Sequence, residues 1–214
     1  MALAFAIAGF IAGMAANCAA ESYAARRCSA SLPAAFAPRF ASPAGLAMGA
    51  AVALAYGTLE ARWGFQPATL QFALLIADLA FLSRTDLLVR IIPNGCILFA
   101  LGCRLAFFAW AIPYRPGGPD AFLASLAGLV LIGAIMALAA WMAARLRRSG
   151  ALGGGDVKLF AVLGFYFGFE AGLAAVLLAC ILALAAAALR GRKRSEAFPF
   201  GPAIALAAVI LIVV

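Results

Sequence analysis

Two aspartates, Asp86 and Asp156, stand where a very apolar segment meets a basic loop. Asp86 lies in Ser83-Arg84-Thr85-Asp86-Leu87-Leu88-Val89-Arg90-Ile91-Ile92-Pro93-Asn94, and Asp156 ends a glycine run in Gly153-Gly154-Gly155-Asp156-Val157-Lys158. Carboxylates at a bilayer boundary are costly and usually have a partner or a task. Two that meet would form an aspartyl protease centre. Their mutual repulsion raises one pKa, so one group can act as base on a water while the other donates to the carbonyl oxygen. Such a pair titrates as a unit, so neither residue alone is assigned acid or base.

The neighbouring residues suit that task. Glycines such as Gly153 and Gly155 permit close approach and backbone conformations that a side chain would block. Pro93 ends or restarts the helix after Asp86 and biases Ile92 toward an extended form. Irregular backbone at membrane depth survives only where it lines protein or a water cavity, and peptide hydrolysis needs an extended substrate. Plainer readings stand beside this one. Asp156 could be a helix N-cap at a glycine turn, and Asp86 a surface partner of Arg90 four residues along a helix. The phosphate-binding spacing G-x-x-x-x-G-K-[ST] is absent.

Other acidic residues compete. Asp78 precedes Asp86 by eight residues, so it lies roughly 12 Å deeper along a helix, too deep to meet Asp156 at the boundary. It reads either as a buried hydrogen-bonding group between helices or as part of a polar path. Glu60, Asp120 and Glu170 map to the opposite side, while Glu21 and Glu196 are expected to be solvated in loops.

The elements that must position these residues are membrane helices. Of 214 residues, 67% are hydrophobic and 11% charged, with mean hydropathy +1.10; a soluble domain carries roughly a quarter charged residues. Apolar segments fall near 3–20, 43–59, 68–83, 92–112, 121–144, 157–169, 171–189 and 199–214. The expected fold is all-α: a polytopic membrane helix bundle of about eight spans, with six to eight allowed. Residues 1–214 are read as a single integral membrane domain, with 21–42 as a cytoplasmic loop interrupted by Pro33, Pro38 and Pro43. Residues 159–189 are long for one span and short for two, and Glu170 is the expected turn. The abundant alanine fits close helix packing by small residues.

Charge orients the chain. Arg26, Arg27, Arg39, Arg84, Arg90, Arg145, Arg147, Arg148, Lys158, Arg190, Arg192, Lys193 and Arg194 share one side if 159–189 crosses twice. Arg62 and Arg115 lie on the other, and Arg104 falls within a span. That asymmetry makes the first side cytoplasmic, with both termini outside and both Asp86 and Asp156 at the cytoplasmic surface. The net charge of +8 therefore reads as topology rather than nucleic-acid binding. Cysteines at 18, 28, 96, 103 and 180 form no C-x-x-C pair, so neither a disulfide framework nor a zinc site is indicated. There is no histidine, which excludes Ser-His-Asp and Cys-His catalysis. Residues 2–16 lack a preceding basic residue, and Asn17 before Cys18 departs from a lipoprotein cleavage site, so this segment is read as a retained first span.

Together the two motifs resemble those of the type IV prepilin peptidase family, the GxGD intramembrane aspartyl proteases. Asp86 with Pro93 and Asn94 is similar to that family's first catalytic aspartate and its I-P-N segment. Gly153-Gly154-Gly155-Asp156-Val157-Lys158 is similar to its GxGD motif, including the lysine. Gly13 and Asn17 resemble part of the first-helix G-S-F-x-N, and Phe198-Pro199-Phe200-Gly201-Pro202-Ala203 the start of the last helix. Larger members carry a zinc domain with two C-x-x-C pairs between the first two helices. This loop holds only Cys28, so the resemblance is to short members and zinc is not expected. The resemblance implies catalytic Asp86 and Asp156, supported by Gly153, Gly155, Lys158, Pro93 and Asn94. It implies cleavage of basic leader peptides from prepilin or pseudopilin precursors at the cytoplasmic face of a bacterial inner membrane, with no cofactor for proteolysis. S-adenosylmethionine enters only if the N-methylating activity of some members is retained. The alternatives are a proton- or cation-coupled transporter using Asp78, Asp86 and Asp156, or an inactive membrane component of a pilus or secretion apparatus.

Overall fold

The computed structural model describes residues 1–27, 42–113, 117–146, 153–189 and 199–214. Among these residues seven helices follow one another: α1 (Ala2–Arg27), α2 (Pro43–Trp63), α3 (Pro67–Val89), α4 (Asn94–Ala111), α5 (Gly118–Arg145), α6 (Gly154–Leu189) and α7 (Gly201–Val213). Among the described residues there is no strand. Of the described helices, five (α1, α2, α4, α5 and α6) are long and apolar enough to cross a membrane; α3, which carries Asp78, Arg84 and Asp86, falls outside that set, and α7 is shorter. The apolar residues turned outward fit the same picture: Leu3, Ile7 and Ile11 form an exposed stripe on α1, opposite buried Gly9, Gly13 and Asn17. The protein is a multi-pass membrane helix bundle.

The chain divides into two compact units, Met1–Ile92 with Ile212–Val214, and Pro93–Leu211. In the first, α1 packs on α2 and α3. A Cβ on Gly13 would lie 2.6 Å from the Met48 carbonyl oxygen, and one on Gly9 would lie 2.9 Å from that of Val52. The backbones therefore approach as closely as small residues allow, which is what membrane helices use for van der Waals attraction where lipid removes the hydrophobic drive. Ser42 caps α2 by accepting from the Gly45 N–H, and Pro43 takes the first helical position. Helix α1 continues to Arg27, beyond the expected loop start at 21; residues 28–41, with Cys28, Pro33 and Pro38, lie outside the described residues.

In the second unit α6 packs on α5 and α4, and α6 is two helices in one run. Gly168 has φ 77° and ψ −172°, a region essentially reserved for glycine. A Cβ on Gly172 would come within 3.2 Å of the Gly164 Cα. Residues eight apart on a straight helix stand about 12 Å apart, so the chain reverses at Gly168. The stretch does fold back on itself, and the turn is two residues earlier than Glu170. Glutamate tolerates exposure at a turn, but only glycine tolerates this backbone. Gly128 of α5 lies so near Gly164 and Gly168 that no side chain fits at either Gly128 or Gly164.

Candidate active site

Asp86 is in the last turn of α3 and is buried, at 6% exposure. The helix ends at Arg90, which adopts the left-handed conformation (φ 54°, ψ 38°) and donates its N–H to the Asp86 carbonyl at 2.9 Å. Arg90 has therefore left the helix, and Asp86 is buried rather than on the surface. Ile91 and Ile92 are non-helical, and Pro93 (φ −65°, ψ 132°) is extended ahead of Asn94, the first residue of α4. Asp78, two turns earlier on α3, has its Oδ2 fully enclosed.

Within the same unit, a polar network joins α1, α2 and α3. Asn17, with no exposure, donates from Nδ2 to Glu21 Oε1 at 3.1 Å and to Ser42 Oγ at 3.2 Å. Arg84 Nη2 donates to that same Glu21 oxygen at 3.1 Å. The sequence places Glu21 in a solvated loop; the structure buries it on α1, where the Arg84 guanidinium and the Asn17 amide replace its lost hydration. Glu196, its counterpart in that expectation, lies outside the described residues.

Asp156 is the third residue of α6 and half-buried. Its Oδ2 accepts from the Gly153 N–H at 3.1 Å, while the Val157 N–H donates to the Gly153 carbonyl at 3.3 Å. Gly153 is thus the cap, and Asp156 reaches back to it as the third residue of a capping box does. An anionic side chain in the first turn also meets the positive end of the helix dipole. None of Gly153, Gly154 or Gly155 has positive φ. What the site uses is the missing side chain of Gly153, whose Cβ would stand 3.1 Å from Asp156 Oδ2. Two residues on, Lys158 Nζ donates to Asn94 Oδ1 at 3.1 Å, tying the start of α6 to the start of α4.

Of the residues named from sequence, Gly153 and Asp156 touch, and Lys158 meets Asn94. Asp86 belongs to the first unit, while Pro93, Asn94 and the glycine–aspartate run belong to the second. Arg104 emerges only in three dimensions. It is buried, and donates to Ser125 Oγ (3.0 Å) and to the carbonyls of Phe165 (3.2 Å) and Tyr166 (3.1 Å). The signal available beforehand was one arginine inside an apolar run, which in a membrane span asks for buried partners.

The Type IV leader peptidase family profile matches residues 73–188, more than half of the chain and inclusive of both aspartates. Among curated proteins, the chain is 31% identical over 157 residues to a prepilin leader peptidase/N-methyltransferase of Bacillus subtilis, covering 70% of this chain and 57% of that protein. It is 33% identical over 157 residues to a protein of the same description from Burkholderia pseudomallei, covering 72% and 48%. The chain thus spans about half the length of the curated relatives it matches. No solved structure matches it. With the profile carried across more than half its length, the chain belongs to the type IV leader peptidase family.

Proposed function

We propose that this protein is an intramembrane aspartyl endopeptidase that removes the basic leader from prepilin-like precursors, with Asp86 and Asp156 as its two carboxylates. The observation that carries the reading is that both lie at helix ends inside the segment matched by a peptidase family: Asp86 in the last turn of α3 and Asp156 in the first turn of α6. Helix ends expose backbone that an extended peptide can meet, and in a bilayer they are where water and an apolar substrate helix come together. One carboxylate takes a proton from water as its oxygen attacks the scissile carbonyl. The protonated partner donates to the carbonyl oxygen, and the C–N bond then breaks as the amine leaves with a proton.

Proteolysis by this pair needs no cofactor. The relatives' second activity would require a methyl donor, and one cavity can be tested for S-adenosylmethionine. It measures about 520 Å³ and is lined by Ala6, Ala50, Ala53, Leu54, Gly57, Thr58 and Ala61. Its one polar side chain, Thr58, already donates to the carbonyls of Leu54 and Ala55, and no charged group lines it to meet the sulfonium, amino and carboxylate groups of that donor, so this cavity does not fit. In this reading the precursor's leader and active site are on the cytoplasmic side of a bacterial inner membrane, as the arginine and lysine asymmetry favours.

The test is cleavage of a co-expressed prepilin-like precursor by the wild type, Asp86→Asn, Asp156→Asn and, as control, Asp78→Asn. Either boundary variant is expected to lose about a hundredfold or more in rate, with the control retaining activity. Full cleavage by both boundary variants would sink the reading. Mass analysis of the product N-terminus reports separately whether it is methylated. A cation-flux assay on reconstituted protein addresses the transporter alternative.

A further inference from the structure

The reversal at Gly168 leaves a problem that membrane physics makes acute. The first half of α6 runs from Gly154 to the residue before Gly168, about 21 Å at 1.5 Å per residue, short of the roughly 30 Å hydrocarbon core. In an uninterrupted helix the carbonyls of Phe165 and Tyr166 would accept from the N–H groups four residues on, those of Phe169 and Glu170. The turn carries those donors away. Unsatisfied carbonyls inside a bilayer cost several kcal/mol each, because no water is there to meet them.

Arg104 supplies the missing donors. Its Nε reaches the Phe165 carbonyl and its Nη2 the Tyr166 carbonyl, two of the acceptors that the break frees, and Nη2 also reaches Ser125 Oγ on α5. The guanidinium lies 4.4 Å from the centre of the Phe108 ring and 5.3 Å from that of Tyr166, so aromatic faces cover what the carbonyls leave. The Tyr166 hydroxyl completes the connection by donating to the Ala100 carbonyl on α4 at 2.9 Å. A cation at a helix C-terminus is also where the dipole favours it.

We propose that Arg104 is a positioning residue: it caps the truncated half-helix whose opposite end carries Asp156, and fixes that aspartate's depth and orientation. The proposal rests on the reading of Asp156 as one of the two working carboxylates. Lysine cannot reproduce the role in full, since a single ammonium lacks the planar fork that serves separate acceptors.

The experiment uses the full chain in membranes, with cysteines placed at Gly133 and Ala161, where a Cβ on Gly133 would lie 3.1 Å from that of Ala161, close to disulfide spacing. Disulfide formation between them reads the seating of the half-helix on α5 without reference to activity. Arg104→Gln is expected to slow it severalfold, with Arg104→Lys between. Precursor cleavage by Arg104→Gln should fall about tenfold or more, and oxidising the engineered pair should restore it reversibly in the same sample. Arg104→Gln without the pair controls for the native thiols. Equal disulfide rates with and without Arg104 would overturn the proposal, as would lost cleavage that the closed disulfide does not restore. Absence of cleavage by the wild type would instead strike the protease reading, and the disulfide rates would still decide the role of Arg104.

Discussion

Arg84 and Glu21, 63 residues apart in sequence, form an ion pair at 3.1 Å between α3 and α1. The same carboxylate oxygen accepts from Asn17, which also donates to Ser42, so one glutamate gathers three helices at the end of the unit where α3 carries Asp86. Removing either charge strands the other in a site that is 9% exposed on the Glu21 side and 21% on the Arg84 side. Glu21→Gln and Arg84→Met should each destabilise by about 1–3 kcal/mol. The double variant should cost less than the sum, as read from thermal unfolding in detergent. Strict additivity would mean that the pair holds nothing.

The hairpin in α6 predicts a sharper pair. Gly168→Ala forces a side chain into φ 77° and should cost about 1–3 kcal/mol. Gly164→Ala drives a Cβ into the Gly128 backbone and should cost about as much through overpacking. Gly154→Ala, with nothing within 4 Å of the new Cβ, should be close to neutral. Equal melting temperatures for all three would mean that the reversal is not built as described.

The capping bond of Asp156 makes its replacement double-edged. Asp156→Asn keeps an acceptor for the Gly153 N–H but removes the carboxyl that can carry negative charge at the helix start, so it should destabilise by no more than about 1 kcal/mol while abolishing precursor cleavage. Gly153→Ala tests the same contact from the other side. A methyl 3.1 Å from Oδ2 should disturb the carboxylate and lower cleavage, leaving stability nearly unchanged. Wild-type rates in Gly153→Ala would show that the close approach is incidental.

Lys158 and Asn94 form an exposed hydrogen bond, which bounds its energetic weight. Lys158→Met and Asn94→Ala should each cost no more than about 1 kcal/mol. If the contact serves to set the two helix starts, each should lower cleavage by a larger factor than that energy implies, and together no further than singly. Additive losses in rate would assign the two residues separate roles.

Much of this was legible in the chain itself. Apolar runs marked the described helices, though α3 and α7 fall short of what a full crossing asks, and Pro93 marked the break between α3 and α4 through a fixed φ. The two aspartates stood out because carboxylates are rare in such company. What hid was whatever depended on a partner far along the chain. Glu21 looked like a loop residue until Arg84 and Asn17 were seen around it. The turn at Gly168 was masked by the more conspicuous charge of Glu170, since sequence shows charge but not the sign of φ. Arg104 read as an anomaly within a span because its acceptors are backbone carbonyls, which carry no letter of their own.

The reversal at Gly168 also bears on how the protein is made. A nascent chain ending at the turn would present a half-helix too short to be held across a bilayer, with Asp156 and Lys158 at its leading end. The return helix from Phe169 to Leu189 is long enough to be retained. The two halves are therefore expected to settle in the bilayer as one folded-back unit, with the turn at Gly168 held against the Gly128 backbone of α5.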